Sequence, residues 1–212
     1  MISPVEPKVF LCGEGKHELG TRAGDPVYQS DEGPGVLVAL LRRIKPDGWS
    51  VGSAREWKSY RRFQAHGPSH GDGVTVRKIA LDAAEYGCSI AAFLRDQNGD
   101  PSRKKQIDEA IAKLHVEGEL NVALAGAVVI PAIEAWMLAL RGEHKTEAMS
   151  RSQAANRLAA LIKPNEVTTS AMVEIVENVD SSLIPDDAHS LLEWRRRAEE
   201  SFFPEANPEA ST

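Results

Sequence analysis

Four short apolar runs within the first 130 residues predict β-strands. They are residues 8–12, "WSVGSA" (49–54), "CSIAAFLRD" (88–96) and "NVALAGAVVI" (121–130). Most of them are nearly continuous in apolar residues, which is typical of strands buried on both faces of a parallel sheet. Each run is too short to span a membrane or to form a long helix.

Segments with helical spacing lie between and after these runs. They are 35–44, 74–86, 101–118 and 131–140, and Gly87 and Gly118 are stop signals. The alternation of strand and helix predicts an α/β fold with a mostly parallel, Rossmann-like sheet and helices on both faces. Residues 150–203 predict three further helices. We therefore expect a domain at 1–145 with a helical extension at 146–212 packed on it.

Acidic residues follow three of the predicted strands. Glu14 comes just after the first strand, Asp96 ends "CSIAAFLRD", and Glu134 lies just past the last strand, after Pro131. Because functional groups gather at the carboxyl ends of parallel strands, we expect these three carboxylates to converge. Hard oxygen ligands without clustered cysteine or histidine favour Mg²⁺ or Mn²⁺ over Zn²⁺.

Structural interpretations of the same acids stay open. Asp100 is suited to cap the helix that follows it, and Glu134 to interact with the dipole of its own helix. Glu18 is equally compatible with a second acid of the site and with part of a turn. The glycines of "GEGKHELG" have the wrong spacing for a dinucleotide-binding fingerprint.

A basic strip follows the second predicted strand. Arg55, Lys58, Arg61 and Arg62 alternate with aromatic residues in "REWKSYRRF". This pattern is compatible with binding to a nucleic-acid backbone through charge and stacking. A solvated face of an amphipathic helix explains the strip equally well.

Composition narrows the class of protein. The 212 residues carry 31 acidic and 25 basic side chains, a net charge of −6, which excludes a simple polybasic nucleic-acid binder. Cys12 and Cys88 lie in apolar contexts and predict buried thiols in a reducing compartment. With no signal-peptide pattern and no uninterrupted apolar span, we expect a cytoplasmic protein without membrane contact.

Together, the "GEGKHELG" segment, the strand-end "DQNG" and the "PAIEAW" element resemble the Toprim domain. Toprim is the catalytic fold of type IA and II topoisomerases, DnaG-type primases and OLD-family nucleases. The chain is most similar to small stand-alone, OLD-like Toprim proteins, whose genes often neighbour ABC-type ATPases in prokaryotic defence loci. The resemblance covers residues 9–140.

The resemblance implies a role for each matching residue. Glu14 matches the invariant glutamate that helps to bind metal and acts as an acid or base; Glu18 matches the extra acid of the OLD-like group. Asp96 matches the first aspartate of Asp-x-Asp, and Glu134 the later acid. Asn98 stands where the second aspartate belongs, and offers an oxygen without charge. Asp100 is a substitute ligand two residues further on.

The function that this implies is cleavage of nucleic acid, DNA rather than RNA, with Mg²⁺ or Mn²⁺ as cofactor, as the effector of an anti-phage system. We place Lys16 and His17 near the phosphate and assign Arg55, Lys58, Arg61 and Arg62 to the nucleic-acid backbone. The alternative is a weak or inactive Toprim-fold partner that regulates an ABC/SMC-like ATPase. A phosphohydrolase or nucleotidyltransferase of small nucleotides is a third option, and a homo-oligomer is compatible with all three.

Overall fold

A computed structural model describes residues 6–20, 33–63, 71–118, 120–162 and 166–204, without the side chains of 61–63. Within these ranges four strands form one sheet in the order β2-β1-β3-β4, and every neighbouring pair is parallel. The strands are β1 (Lys8–Gly13), β2 (Ser50–Glu56), β3 (Ile90–Asp96) and β4 (Ala123–Val129). The prediction of an α/β fold with a parallel sheet is confirmed.

In the described part of the chain, eight α-helices surround the sheet, and a 3₁₀-helix at Trp57–Phe63 follows β2 directly. In chain order they are α1 (Lys16–Leu19), α2 (Val36–Ile44), α3 (Asp72–Glu85), α4 (Ser102–Glu117), α5 (Ile133–Leu140), α6 (Arg151–Leu161), α7 (Thr169–Glu177) and α8 (His189–Phe202). Gly118 ends α4 in the left-handed conformation that glycine adopts without strain. Pro131 was expected in the first turn of α5 but precedes the helix.

The two faces of the sheet bury different sets of side chains, because successive residues of a strand point in opposite directions. Phe10, Cys12 and Phe93 pack with α3, α4 and the 3₁₀-helix on one face. Leu11 and Leu94 belong to the opposite face, which α2 and α5 to α8 cover. Helices therefore cover both faces, as the sequence predicts.

The C-terminal helices share the hydrophobic core of the sheet. Ala154, Leu158, Met172 and Leu191 are buried in the same cluster as the strand residues. Helix α8 packs along β4, where the Trp194 indole donates a hydrogen bond to the Ala125 carbonyl at 3.1 Å. The helices that follow α5 are therefore part of the packed body of the protein.

The strand order fixes where a functional site is expected. The chain leaves β1 towards β2 on one side, whereas β3 lies on the other side of β1. In open α/β sheets, ligands bind in the crevice at the carboxyl ends of strands where the direction of winding reverses. Here that crevice lies between the ends of β1 and β3. Among the described helices, none is long and apolar enough to cross a membrane.

Candidate functional site

Four carboxylates lie at the carboxyl edge of the sheet, and we call them the acid cluster. Glu14 follows β1, Glu18 belongs to α1, Asp96 is the last residue of β3, and Glu134 lies in the first turn of α5. The charges of Glu18, Glu14 and Glu134 each raise the pKa of Asp96. Glu14 and Glu134, which the sequence predicts beside Asp96, therefore lie close enough to influence its charge, and so does Glu18, which the sequence left ambiguous.

Asp96 and Glu18 are the buried members of the acid cluster. Asp96 is 4% exposed and Glu18 is 5% exposed. Burial and the neighbouring carboxylates raise the pKa of each group to about 7, although the hydrogen bond from the Gly15 N–H to Glu18 Oε2, 3.0 Å long, opposes the shift in Glu18. Around neutral pH each of these two acids is therefore partly protonated, whereas an ordinary carboxyl group is ionised.

Gly13 explains how Glu18 comes to lie directly over the end of β1. A Cβ atom on Gly13 would come within 2.6 Å of the Glu18 Cβ, closer than real side chains approach. Only a residue without a side chain lets the first turn of α1 fold back onto the strand in this way. The glycine serves close packing of an acid and makes no phosphate cradle.

Glu134 contributes a buried oxygen atom with no hydrogen-bond partner among the described residues. Its Oε2 atom is shielded from solvent and accepts no hydrogen bond from any of their groups. A buried carboxylate oxygen is costly unless it meets a donor, a proton or a cation. This atom therefore points to a group beyond those that the described part of the chain supplies.

Two arginines partly neutralise the acid cluster, and neither was identified from the sequence. Arg95, the penultimate residue of β3, is 3% exposed, forms an ion pair with Glu14, and lies 5.2 Å from the centre of the Trp57 ring. Asp72, at the start of α3, lies 3.6 Å from Arg95 Nε. Arg151, the first residue of α6, lies 3.8 Å from Asp96 Oδ2.

The turn after β3 directs the side chains of Asn98 and Asp100 to partners of their own, although the sequence places both beside Asp96. Asn98 has a φ of 49°, and its Oδ1 accepts a hydrogen bond of 2.5 Å from Arg151 Nη1. Asp100 Oδ1 accepts hydrogen bonds from the backbone and the hydroxyl of Ser102, which lower the pKa of Asp100. The Asp100 carboxylate is thus turned to Ser102, the first residue of α4.

Lys16 is exposed at the start of α1, and His17 Nδ1 lies 3.0 Å from the hydroxyl of Thr169. In the basic strip, Arg55 pairs with Asp82 at 2.6 Å and Lys58 with Glu56 at 2.6 Å. The side chains of Arg61 and Arg62 lie outside the described residues.

The two aromatic side chains of the strip that the structure describes, Trp57 and Tyr60, are buried. Trp57 is fully buried, and Tyr60 is buried with its hydroxyl donating to Asp82 at 2.7 Å. Both belong to the core cluster that contains Phe10 and Phe93, and the centres of the Trp57 and Phe93 rings lie 5.9 Å apart. The prediction that nucleic-acid bases stack on Trp57 or Tyr60 is therefore wrong.

The acid cluster fits a hard cation in its chemistry, since all its donors are carboxylate oxygens and one of them lacks a partner among the described residues. In the arrangement described, however, no three histidine, cysteine, aspartate or glutamate side chains of these residues are grouped closely enough to hold an ion. Glu14 is turned to Arg95 instead. For Glu14 to bind a cation, it would have to exchange Arg95 for the ion.

Comparison with known proteins adds no relative to this description: no family model, no curated protein and no solved structure matches the chain.

Proposed function

We propose that this chain is a divalent-metal-dependent nuclease of the Toprim type, with the acid cluster as its active site. The observation that carries the proposal is the pair of buried acids, Glu18 and Asp96, beside the Oε2 of Glu134, which has no partner in the described ranges. Ionisation of so many buried carboxyl groups is unfavourable in the protein alone and favourable around a cation. The acid cluster lies at the β1–β3 crevice, which is where open α/β sheets bind ligands.

Glu14, Asp96 and Glu134 would hold Mg²⁺ or Mn²⁺, and a bound ion of this kind neutralises phosphoryl oxygens and activates water. Glu18 is anchored by the Gly15 N–H and has a pKa of about 7, which suits a group that takes a proton from water near neutral pH. Lys16, which is exposed at the rim, would approach the phosphate of the substrate.

A cleavage assay tests the proposal. Supercoiled plasmid and labelled single-stranded DNA and RNA are incubated with the protein in MgCl₂, MnCl₂ or EDTA. We expect cleavage only with the metal, and a rate at least about 100-fold lower in Glu14→Gln and Asp96→Asn. Glu56→Gln is the matched control, because Glu56 ends the neighbouring strand β2 but pairs with Lys58. Equal cleavage by all four proteins would refute the assignment of the site.

A second function is favoured by one observation. Arg95 pairs with Glu14, and Arg151 lies beside Asp96, so the protein supplies part of the positive charge that a metal would bring. This is what we would expect of a Toprim-fold partner that regulates an ATPase without cleaving nucleic acid itself.

Calorimetric titration with MgCl₂ and MnCl₂ separates the two functions. The nuclease binds the ions, and Asp96→Asn binds them at least about tenfold more weakly. A protein that shows no binding heat for either ion across several temperatures cannot perform the proposed chemistry, and the regulatory function then stands.

A further inference from the structure

We infer that Arg151 binds a phosphate group of the substrate at the rim of the acid cluster, and that Asn98 positions it. This inference rests on the proposed nucleic-acid substrate and adds a residue from the C-terminal helices to the site. It also gives Asn98 a role different from that of a weakened metal ligand.

Arg151 lies across the opening of the acid cluster. Its Nη1 donates to Asn98 Oδ1 at 2.5 Å, and its Nη2 lies 3.8 Å from Asp96 Oδ2. The Arg151 side chain is 59% exposed, whereas that of Asp96 is 6% exposed. A guanidinium group has five N–H donors in one plane, so a hydrogen bond to Asn98 leaves donors that can face a ligand in solvent.

The chemistry of Asn98 suits this arrangement. An amide oxygen accepts a hydrogen bond from arginine without neutralising its charge, whereas an aspartate in the same place would form an ion pair. Asn98 also adopts a φ of 49°, which asparagine tolerates better than most residues. The turn therefore fixes the direction of the Arg151 side chain without neutralising its charge, and the Asp96 Oδ2 atom, at 3.8 Å, is farther away than a hydrogen bond.

Two other arginines, Arg95 and Arg157, are placed differently. Arg95 is 3% exposed and paired with Glu14, so it lies too deep to meet a polymer. Arg157, on the same helix as Arg151, is similarly exposed at 56%, but its Nε contacts both carboxylate oxygens of Glu143 at 3.1 and 3.2 Å. Of these three, only Arg151 is both exposed at the cluster and anchored by a neutral group.

Binding is measured in a background that cannot cleave. The probe is a fluorescein-labelled single-stranded DNA oligonucleotide, and its anisotropy is followed in MgCl₂ at several NaCl concentrations. Asp96→Asn is compared with Asp96→Asn/Arg151→Ala, which also removes any influence of Arg151 on the ionisation of Asp96. Asp96→Asn/Arg157→Ala is the matched control, and thermal melts establish that each variant is folded.

We expect the Arg151→Ala change to weaken binding about tenfold and to reduce the slope of log K against log salt by about 0.7, the contribution of one phosphate contact on a single strand. Arg157→Ala leaves both quantities unchanged. Asn98→Gly, which permits the same backbone conformation, weakens binding less, and has no further effect once Arg151 is alanine.

The outcomes separate this inference from the nuclease proposal. Equal binding and equal salt slopes with and without Arg151, or no binding of the oligonucleotide at all, overturn the role of Arg151, even if the wild type cleaves DNA in Mn²⁺. Loss of binding specific to Arg151 supports it, even if the wild type cleaves nothing, in which case only the proposed nuclease activity fails.

Discussion

Two charged clusters of this protein differ in how their charges are balanced. Between α4 and α8, Lys104 and Arg197 alternate with Asp108 and Glu193, and each cation contacts both acids at 2.6 to 2.9 Å. The acid cluster instead gathers four carboxylates around the ends of β1 and β3. Of its two arginines, Arg95 pairs with Glu14 and Arg151 lies beside Asp96.

The difference distinguishes charge that holds the fold together from charge that is available to a ligand. In the α4–α8 network, every charged group has partners of opposite sign. These ion pairs help to hold α8 against α4. In the acid cluster, burial and like charges raise the pKa of Asp96 and Glu18, and an oxygen of Glu134 lacks a partner among the described residues. An arrangement that is unfavourable in isolation is characteristic of functional sites.

The largest expected difference between the clusters is in the pH dependence of stability. The carboxyl groups of Glu18 and Asp96 have ordinary pKa values of 4.5 and 3.8, as in an unfolded chain, and titrate near 7 in the folded protein. Between these limits the folded state holds more protons than the unfolded state, so raising the pH favours unfolding. We expect the free energy of unfolding in EDTA to fall between pH 5 and 7 by up to about 1.4 kcal/mol per pH unit for each group.

Urea denaturation at pH 5, 6, 7 and 8 measures this fall. Asp96→Asn removes one of the two titrating groups and is expected to flatten the curve, while Glu193→Gln in the α4–α8 network leaves its slope unchanged. The same slope in Asp96→Asn as in the wild type would contradict the buried, protonated state of Asp96.

The second prediction concerns the α4–α8 network. Arg197, whose side chain is 11% exposed, also donates to the Gly126 carbonyl of β4 at 2.8 Å. Arg197→Met leaves two partly buried acids short of a partner and is expected to lower the free energy of unfolding by about 2 kcal/mol. Its neighbour Arg196 is 59% exposed and pairs only with Glu200 among the described contacts. Arg196→Met should therefore change the free energy of unfolding by less than about 0.5 kcal/mol.

Both variants are compared by urea denaturation at pH 7. Equal stability of Arg197→Met and Arg196→Met would mean that the network adds nothing to the attachment of α8.

The smallest effects on stability and on metal affinity are expected at Asp100, which follows Asp96 by four residues in the sequence. Asp180 makes the same contacts, since each aspartate accepts hydrogen bonds from the backbone and hydroxyl of the serine two residues later. Asp100→Ala and Asp180→Ala should therefore lose similar, small amounts of stability. Calorimetry should find the Mn²⁺ affinity of both within about twofold of wild type. A large loss of affinity in Asp100→Ala alone would restore Asp100 as a metal ligand.

The sequence predicted the parallel sheet for two physical reasons. Strands buried on both faces are continuous in apolar residues, and parallel strands bring their carboxyl ends to one edge. The proximity of Glu14, Asp96 and Glu134 follows from these two facts. Glu18 was ambiguous in the sequence, because only the packing of α1 against Gly13 shows that its side chain is buried.

What the sequence could not predict depends on tertiary packing. Arg95 stands inside an apolar strand, and that is the one local signal that it needed a buried acidic partner. Arg151 is 53 residues from Asn98 and meets it only through the packing of α6 on α5. Trp57 and Tyr60 alternate with basic residues as a binding surface would, but burial of such large rings outweighs that local pattern.

The attachment of α8 to β4 also has a consequence for how the protein folds during synthesis. All four strands leave the ribosome before α8, so the face of β4 that Trp194 and Ala198 cover is exposed until the last of the described helices is made. Exposed apolar strands are prone to association with other chains. Until α8 docks, this face of the sheet is therefore open to association with other chains.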